Sequence, residues 1–168
     1  MSAVDDERIA LAADAERPLR PIAVAWAPVL AWMALIVFLS GDRFADVNTA
    51  TWLAGMPFVG AFGISPAVIA VANLIVRKCA HFVEYAVLSM LSFRAARATW
   101  PSLRRRELFA AAVGLAALFA GFDELRQYAV TTSRSGTPRD VALDAVGALT
   151  GATMGARSLY RRVRSRRA

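Results

Sequence analysis

The sequence predicts an all-α protein, a polytopic membrane bundle of four transmembrane helices with an interfacial segment between helices one and two. Three observations carry that prediction. Of 168 residues, 57% are hydrophobic, above the roughly 45–50% usual for soluble domains. Pro21 to Gly41 contains no charged residue, and about 20 apolar residues are enough to cross a hydrocarbon core. The arginines fall mainly between and beyond the apolar segments, as they do in membrane-protein loops that face the cytoplasm. A net charge of +7 and a pI near 10.9 would also suit a nucleic-acid binder, but the position of the charges argues against it, and no nucleic acid is expected as a partner.

This length allows one domain. Residues 1–20 read as a polar cytoplasmic tail; Asp5, Asp6, Glu7, Asp14 and Glu16 do not suit the basic start of a signal peptide. A single transmembrane domain is expected over 21–160. Its first span covers 22–39, with Trp26, Trp32 and a tolerable proline at Pro28. The stretch 49–76 is free of charge, so it has the composition of a fifth or re-entrant segment. Gly55, Pro57, Gly60, Gly63 and Pro66 break it too often for a regular span. Trp52, Phe58 and Phe62 suit an interfacial loop instead. Ser65-Pro66 then reads as an N-cap with proline at the first helical position. That helix is expected to run to about Arg97 and to span over 77–97. The third span is placed at 107–126. The fourth, 138–160, opens on Thr137-Pro138, and 161–168 forms a basic cytoplasmic tail.

Counting Lys and Arg sets the orientation. The tail, the 94–106 connection and the C-terminus hold 14 of the 20. With four spans, both termini and the middle loop face the cytoplasm of an inner-membrane protein, and 41–76 and 123–140 face outward together.

The polar residues near that outer side form the candidate site. Lys78, His81 and Tyr85 share one helix face, with Glu84 to the side. Asp123, Glu124 and Gln127 close the third apolar run, while Asp140 and Asp144 lie near the start of the fourth span. Ionisable groups are expensive in hydrocarbon unless paired or hydrated. Bland roles compete with chemistry throughout. Asp140 suits a capping box with Thr137, Lys78 suits snorkelling, and His81 suits a register bond to Asp123 or Glu124. Asp144 is expected to pair with Lys78 or His81, or to be protonated. Gly147, Gly151 and Gly155 repeat at every fourth residue and read as a helix-packing face. A lone histidine without HExxH spacing points to no metal, and no cofactor is expected. Cys79, the single cysteine, excludes an internal disulfide.

The string Lys78-Cys-Ala-His81-Phe-Val-Glu84-Tyr85 resembles the first signature of the VanZ-like membrane proteins. The series Asp123-Glu124-Leu-Arg-Gln127, Arg134, Asp140, Asp144, Gly147 and Gly151 resembles the second. Together they cover about residues 77–155. The chain departs from the pattern at Arg77, where relatives often carry Asp, and at Asp144, often Asn. The resemblance implies a cell-envelope role, since the founding members are associated with low-level resistance to the lipoglycopeptide teicoplanin. It also implies that His81, Tyr85, Asp123, Glu124, Gln127, Arg134, Asp140 and Asp144 matter.

Besides a structural or assembly role, three functions fit this residue set. The first is non-enzymatic binding of a membrane lipid, lipid-linked envelope precursor or lipophilic glycopeptide at the outer leaflet, with Lys78 and Arg134 holding the anion. The second is an intramembrane enzyme in which His81 acts with Asp123 or Glu124. The third is a small transporter or flippase using a protonatable Asp144.

Overall fold

The computed structural model describes residues 19–41, 46–130 and 138–165, and side chains within 22–41, 48–129 and 141–158. Among the described residues there are six helices and no strand. They are α1 (Leu19–Leu39), α2 (Asp46–Ala54), α3 (Pro57–Ala61), α4 (Pro66–Thr99), α5 (Arg105–Val130) and α6 (Pro138–Ser165). Three helices are long and apolar enough to cross a membrane, over Ile22–Leu39, Pro66–Thr99 and Arg105–Ala129. The chain is therefore a multi-pass membrane protein by helix length and composition. The fourth expected helix, α6, is 28 residues long but falls outside that set.

Local chemistry sets several of these ends. Ser65 is extended (φ −69°, ψ 151°), its hydroxyl accepts from the Val68 N–H at 3.5 Å, and Pro66 opens α4. Glu107 reaches back to the Arg104 N–H at 2.7 Å, half of a capping box that starts α5 two residues before the expected boundary. The segment between α1 and α4, expected as a loop, holds two short helices instead. All its breakers but Gly60 fall at helix edges: Pro57 begins α3, and Gly63 ends it at φ +58°. There the Ile64 N–H donates to the Val59 carbonyl and the Gly63 N–H to that of Gly60, the double closure of a Schellman turn. Trp52, Phe58 and Phe62 remain exposed.

α4 is the hub, packing against α1, α2, α5 and α6. The Trp26 indole donates to Thr99 and packs edge-on to Trp100, while Trp32 donates to the Glu84 carbonyl, both at 2.8 Å. α1 thus runs antiparallel to α4. α5 is antiparallel as well, with Leu108 beside Phe93 and Ala96 near its start. α6 runs parallel to α4, because Gly147, Gly151 and Gly155 meet Phe82, Ala86 and Phe93 in turn. Against this core, Leu30, Phe38, Val71, Leu74, Val83, Leu118, Leu125 and Met154 stay exposed. An apolar exterior of that extent suits lipid rather than water. The core itself is partly alanine: Ala112, Ala116, Ala120, Ala148, Ala152 and Ala156 are buried. Small side chains let helices approach closely.

Candidate functional site

Two acids are buried at the end of the bundle where α1 finishes and α4 is in its second quarter. Asp123 on α5 and Asp144 on α6 are each 1% exposed, and their surroundings differ sharply.

Donors surround Asp123. Its Oδ2 accepts from the Ser40 hydroxyl and from the Gln127 side-chain amide, each at 2.7 Å. Its Oδ1 accepts from Arg126 Nε at 3.2 Å and Nη2 at 3.0 Å. An ionised carboxylate is an acceptor only, and every one of these contacts is a donor. Ser40 also lies 2.7 Å from the Ile36 carbonyl; its single proton serves one acceptor at a time, and a charged one binds it more strongly. Arg126 Nη2 further approaches the Val37 carbonyl at 3.4 Å, so this cluster ties α5 to the end of α1.

Asp144 has no such support. Neither carboxylate oxygen has a hydrogen-bond donor among the described residues. Its neighbour is His81, whose Nδ1 lies 3.4 Å from Oδ1, longer than a well-formed N–H···O bond. The attraction is ionic only when His81 is protonated. Tyr85, one turn on from His81 and 1% exposed, stands within electrostatic reach of Asp123 and Asp144 alike.

A cavity of about 150 Å³ opens beside this group, between α1, α2 and α4. Its walls include Ser40, Thr49, Arg77, Ala80, His81 and Glu84. Ser40 and His81 are thus each in contact with a buried carboxylate and part of the cavity wall. Most of the remaining lining is apolar.

Of the two pairings expected for His81, with Asp123 or Glu124 and with Asp144, the structure has the second. His81 faces Asp144 on α6; Asp123 is taken up by Ser40, Arg126 and Gln127, and Glu124, half-buried, is not a partner of His81. The reason is rotational. α6 meets α4 along its glycine face, and Asp144 stands one turn before Gly147 on that face, so it is carried onto His81. Lys78 is half-buried on the same side of α4. Arg134 lies outside the described residues, as do the Thr137 cap, the side chain of Asp140 and most of the two tails. Ser40 and Arg126 were not singled out by the sequence reading. Arg126 follows Asp123 by three positions, a spacing that places the two on one helix surface. Ser40 had no signal beyond being a hydroxyl at the end of an apolar run. Among the described residues no group of three or more His, Cys, Asp or Glu could hold a metal.

The bare environment of Asp144 has a testable consequence. Asp144→Asn removes a charge but no hydrogen bond, so the variant is expected to accumulate in membranes and to melt within about 1 kcal/mol of the parent. Heat-induced unfolding in detergent checks this. A loss above about 3 kcal/mol, the scale of a broken buried ion pair, would show that Asp144 is held by a strong pairing.

Among curated proteins and among solved structures, nothing matches the chain. The family model described as VanZ/LLP1 matches residues 25–159, a stretch that includes every residue of the site. With that match added to the two signatures and to the membrane-length helices, the chain belongs to the VanZ/LLP1 family.

Proposed function

We propose that this chain is a four-span protein of the inner membrane, both termini cytoplasmic, that holds the polar end of an amphiphile in the cavity at the outer leaflet. The ligand is a lipid, a lipid-linked envelope precursor or a lipoglycopeptide. One observation carries the reading: the cavity wall presents His81 and Ser40, each backed by a buried carboxylate. Arg77 in that wall supplies positive charge for a phosphate or carboxylate. The apolar remainder of the ligand would lie along the exposed Leu74, Ile75 and Val76.

Length supports the fourth span. At about 1.5 Å per residue, the 28 residues of α6 extend beyond a hydrocarbon core of about 30 Å. α6 runs beside α4, and Val146, Leu149 and Met154 on its outer side are exposed. The Lys and Arg distribution supports the orientation. Membership in the family supports a cell-envelope role, and from it a link to low-level glycopeptide (teicoplanin) resistance.

Filling the cavity tests the binding. Ala80 is exposed and lines it, so Ala80→Phe takes up its volume without entering the core. Native mass spectrometry of the purified protein with undecaprenyl phosphate is expected to show at least a several-fold loss of retained lipid. Equal retention in parent and variant would contradict the site.

A second reading, acid–base chemistry on such a ligand, is favoured by Asp144 behind His81, because a buried carboxylate orients and stabilises an imidazolium. His81→Gln keeps hydrogen bonding and abolishes proton transfer near neutrality. Loss of function at normal membrane abundance is expected of an enzyme; full function would leave binding alone.

A further inference from the structure

A second concave surface lies at the opposite end of the bundle, far from the two acids. It is a groove of about 390 Å³ between the C-terminal parts of α4 and α6, lined by Met90, Phe93, Arg94, Arg97, Ala98, Gly155 and Ser158. The floor is apolar, and two guanidiniums three residues apart stand on its rim. Both arginines are exposed, and among the described residues no acidic side chain lines the groove. Ser158 donates its hydroxyl to the Gly155 carbonyl at 2.8 Å, so its proton is already engaged and the arginines are the donors of the groove.

We infer that this groove binds an anionic glycerophospholipid, with the phosphate between Arg94 and Arg97 and an acyl chain over Met90 and Ala98. Three features select that occupant. Two fixed positive charges select an anion, and planar guanidiniums match phosphate oxygens in pairs. The apolar floor continues the lipid-exposed exterior, so a ligand already in the bilayer reaches it sideways. The surrounding sequence at this end is strongly basic, with Arg104, Arg105, Arg106 and Arg157 nearby in the chain, as in head-group pockets on the cytoplasmic side of membrane proteins. The carbonyl ends of α4 and α6 oppose an anion, but with only about half a charge each, against two whole charges from the arginines. In the orientation proposed above the groove faces the cytoplasmic leaflet; the binding itself does not depend on that orientation or on the cavity at the other end.

Native mass spectrometry of the full chain, with cardiolipin, phosphatidylglycerol or phosphatidylcholine added, tests the site. The parent is expected to retain the two anionic lipids over phosphatidylcholine. Replacing Arg94 and Arg97 together by Gln is expected to reduce that retention about tenfold or more. Ala98→Trp, which fills the groove at an exposed position and keeps both arginines, is expected to reduce it as well. Ala80→Phe is expected to leave it unchanged, which separates this site from the outer cavity. The inference is overturned if the double variant retains cardiolipin as the parent does while melting normally, or if Ala98→Trp has no effect. It is also overturned if millimolar inorganic phosphate displaces the lipid, since the groove would then be a site for soluble anions.

Discussion

Gly151→Ala is expected to break the contact between α4 and α6 and to cause the largest loss of stability of any single methyl group added to this chain. A Cβ at position 151 would fall inside the van der Waals shell of the Ala86 carbonyl oxygen and crowd its carbon as well. Those atoms are backbone in the middle of a long helix and cannot step aside. Overpacking of a core costs about 1–3 kcal/mol and occasionally more, and rigid backbone puts this case at the upper end. Alanine's better helix propensity returns only about 1 kcal/mol. The other two glycines give an internal scale. At Gly147 the added carbon would sit 2.5 Å from the Phe82 carbonyl oxygen; at Gly155 it would meet the Phe93 ring at 3.2 Å. A ring can shift by tenths of an ångström where a carbonyl cannot. The expected order of loss is Gly151, then Gly147, then Gly155, read as unfolding midpoints in detergent. Equal midpoints for Gly151→Ala and Gly155→Ala would show that the helices do not meet this way.

The second large effect is expected at Asp123. Asp123→Ala leaves the Ser40 hydroxyl, the Gln127 amide and the Arg126 guanidinium without their shared acceptor. Removing one partner of a buried ion pair costs about 3–5 kcal/mol. The lower end applies here, because Arg126 is 20% exposed and can turn its head outward. Ser40→Ala removes only one donor and is expected to cost about 1 kcal/mol. In the Asp123→Ala background the Ser40 substitution is expected to cost much less, since only the Ile36 carbonyl is left as its acceptor. Additive losses across that double-mutant cycle would contradict the bond between α1 and α5.

These two clusters also show how far the sequence could be read. The charge-free run before Gly41, the serine-proline start of α4 and the glycine repeat each have a local physical cause, and each appears where that cause puts it. The glycine repeat was legible because its period places the residues on one helix face, whatever the partner. The partner of His81 was legible only as a choice: the sequence offered Asp123, Glu124 and Asp144, and it is Asp144 that stands beside it. Spacing fixes which residues share a face of α4, but the neighbour facing them depends on how α5 and α6 are rotated and how closely each approaches. The glycines of α6 allow the closer approach, and this brings Asp144 to His81. Ser40 was missed for a related reason: a lone hydroxyl has no pattern, and its role exists only once α5 delivers a carboxylate to it. The groove at Arg94 and Arg97 was hidden by its own charge count, since the same arginines were already explained as loop charges.

A four-span chain whose two-acid site faces outward can be checked by cysteine labelling in intact cells. In a Cys79→Ser background, cysteines are placed singly at Gly60, Ser102 and Ala168 and treated with a membrane-impermeant maleimide. Gly60→Cys is expected to label in intact cells, while Ser102→Cys and Ala168→Cys label only after the membrane is opened. Labelling of Ala168→Cys in intact cells would mean that α6 does not cross. Protection of Gly60→Cys together with labelling of Ser102→Cys would place the site on the inside and overturn the proposed orientation.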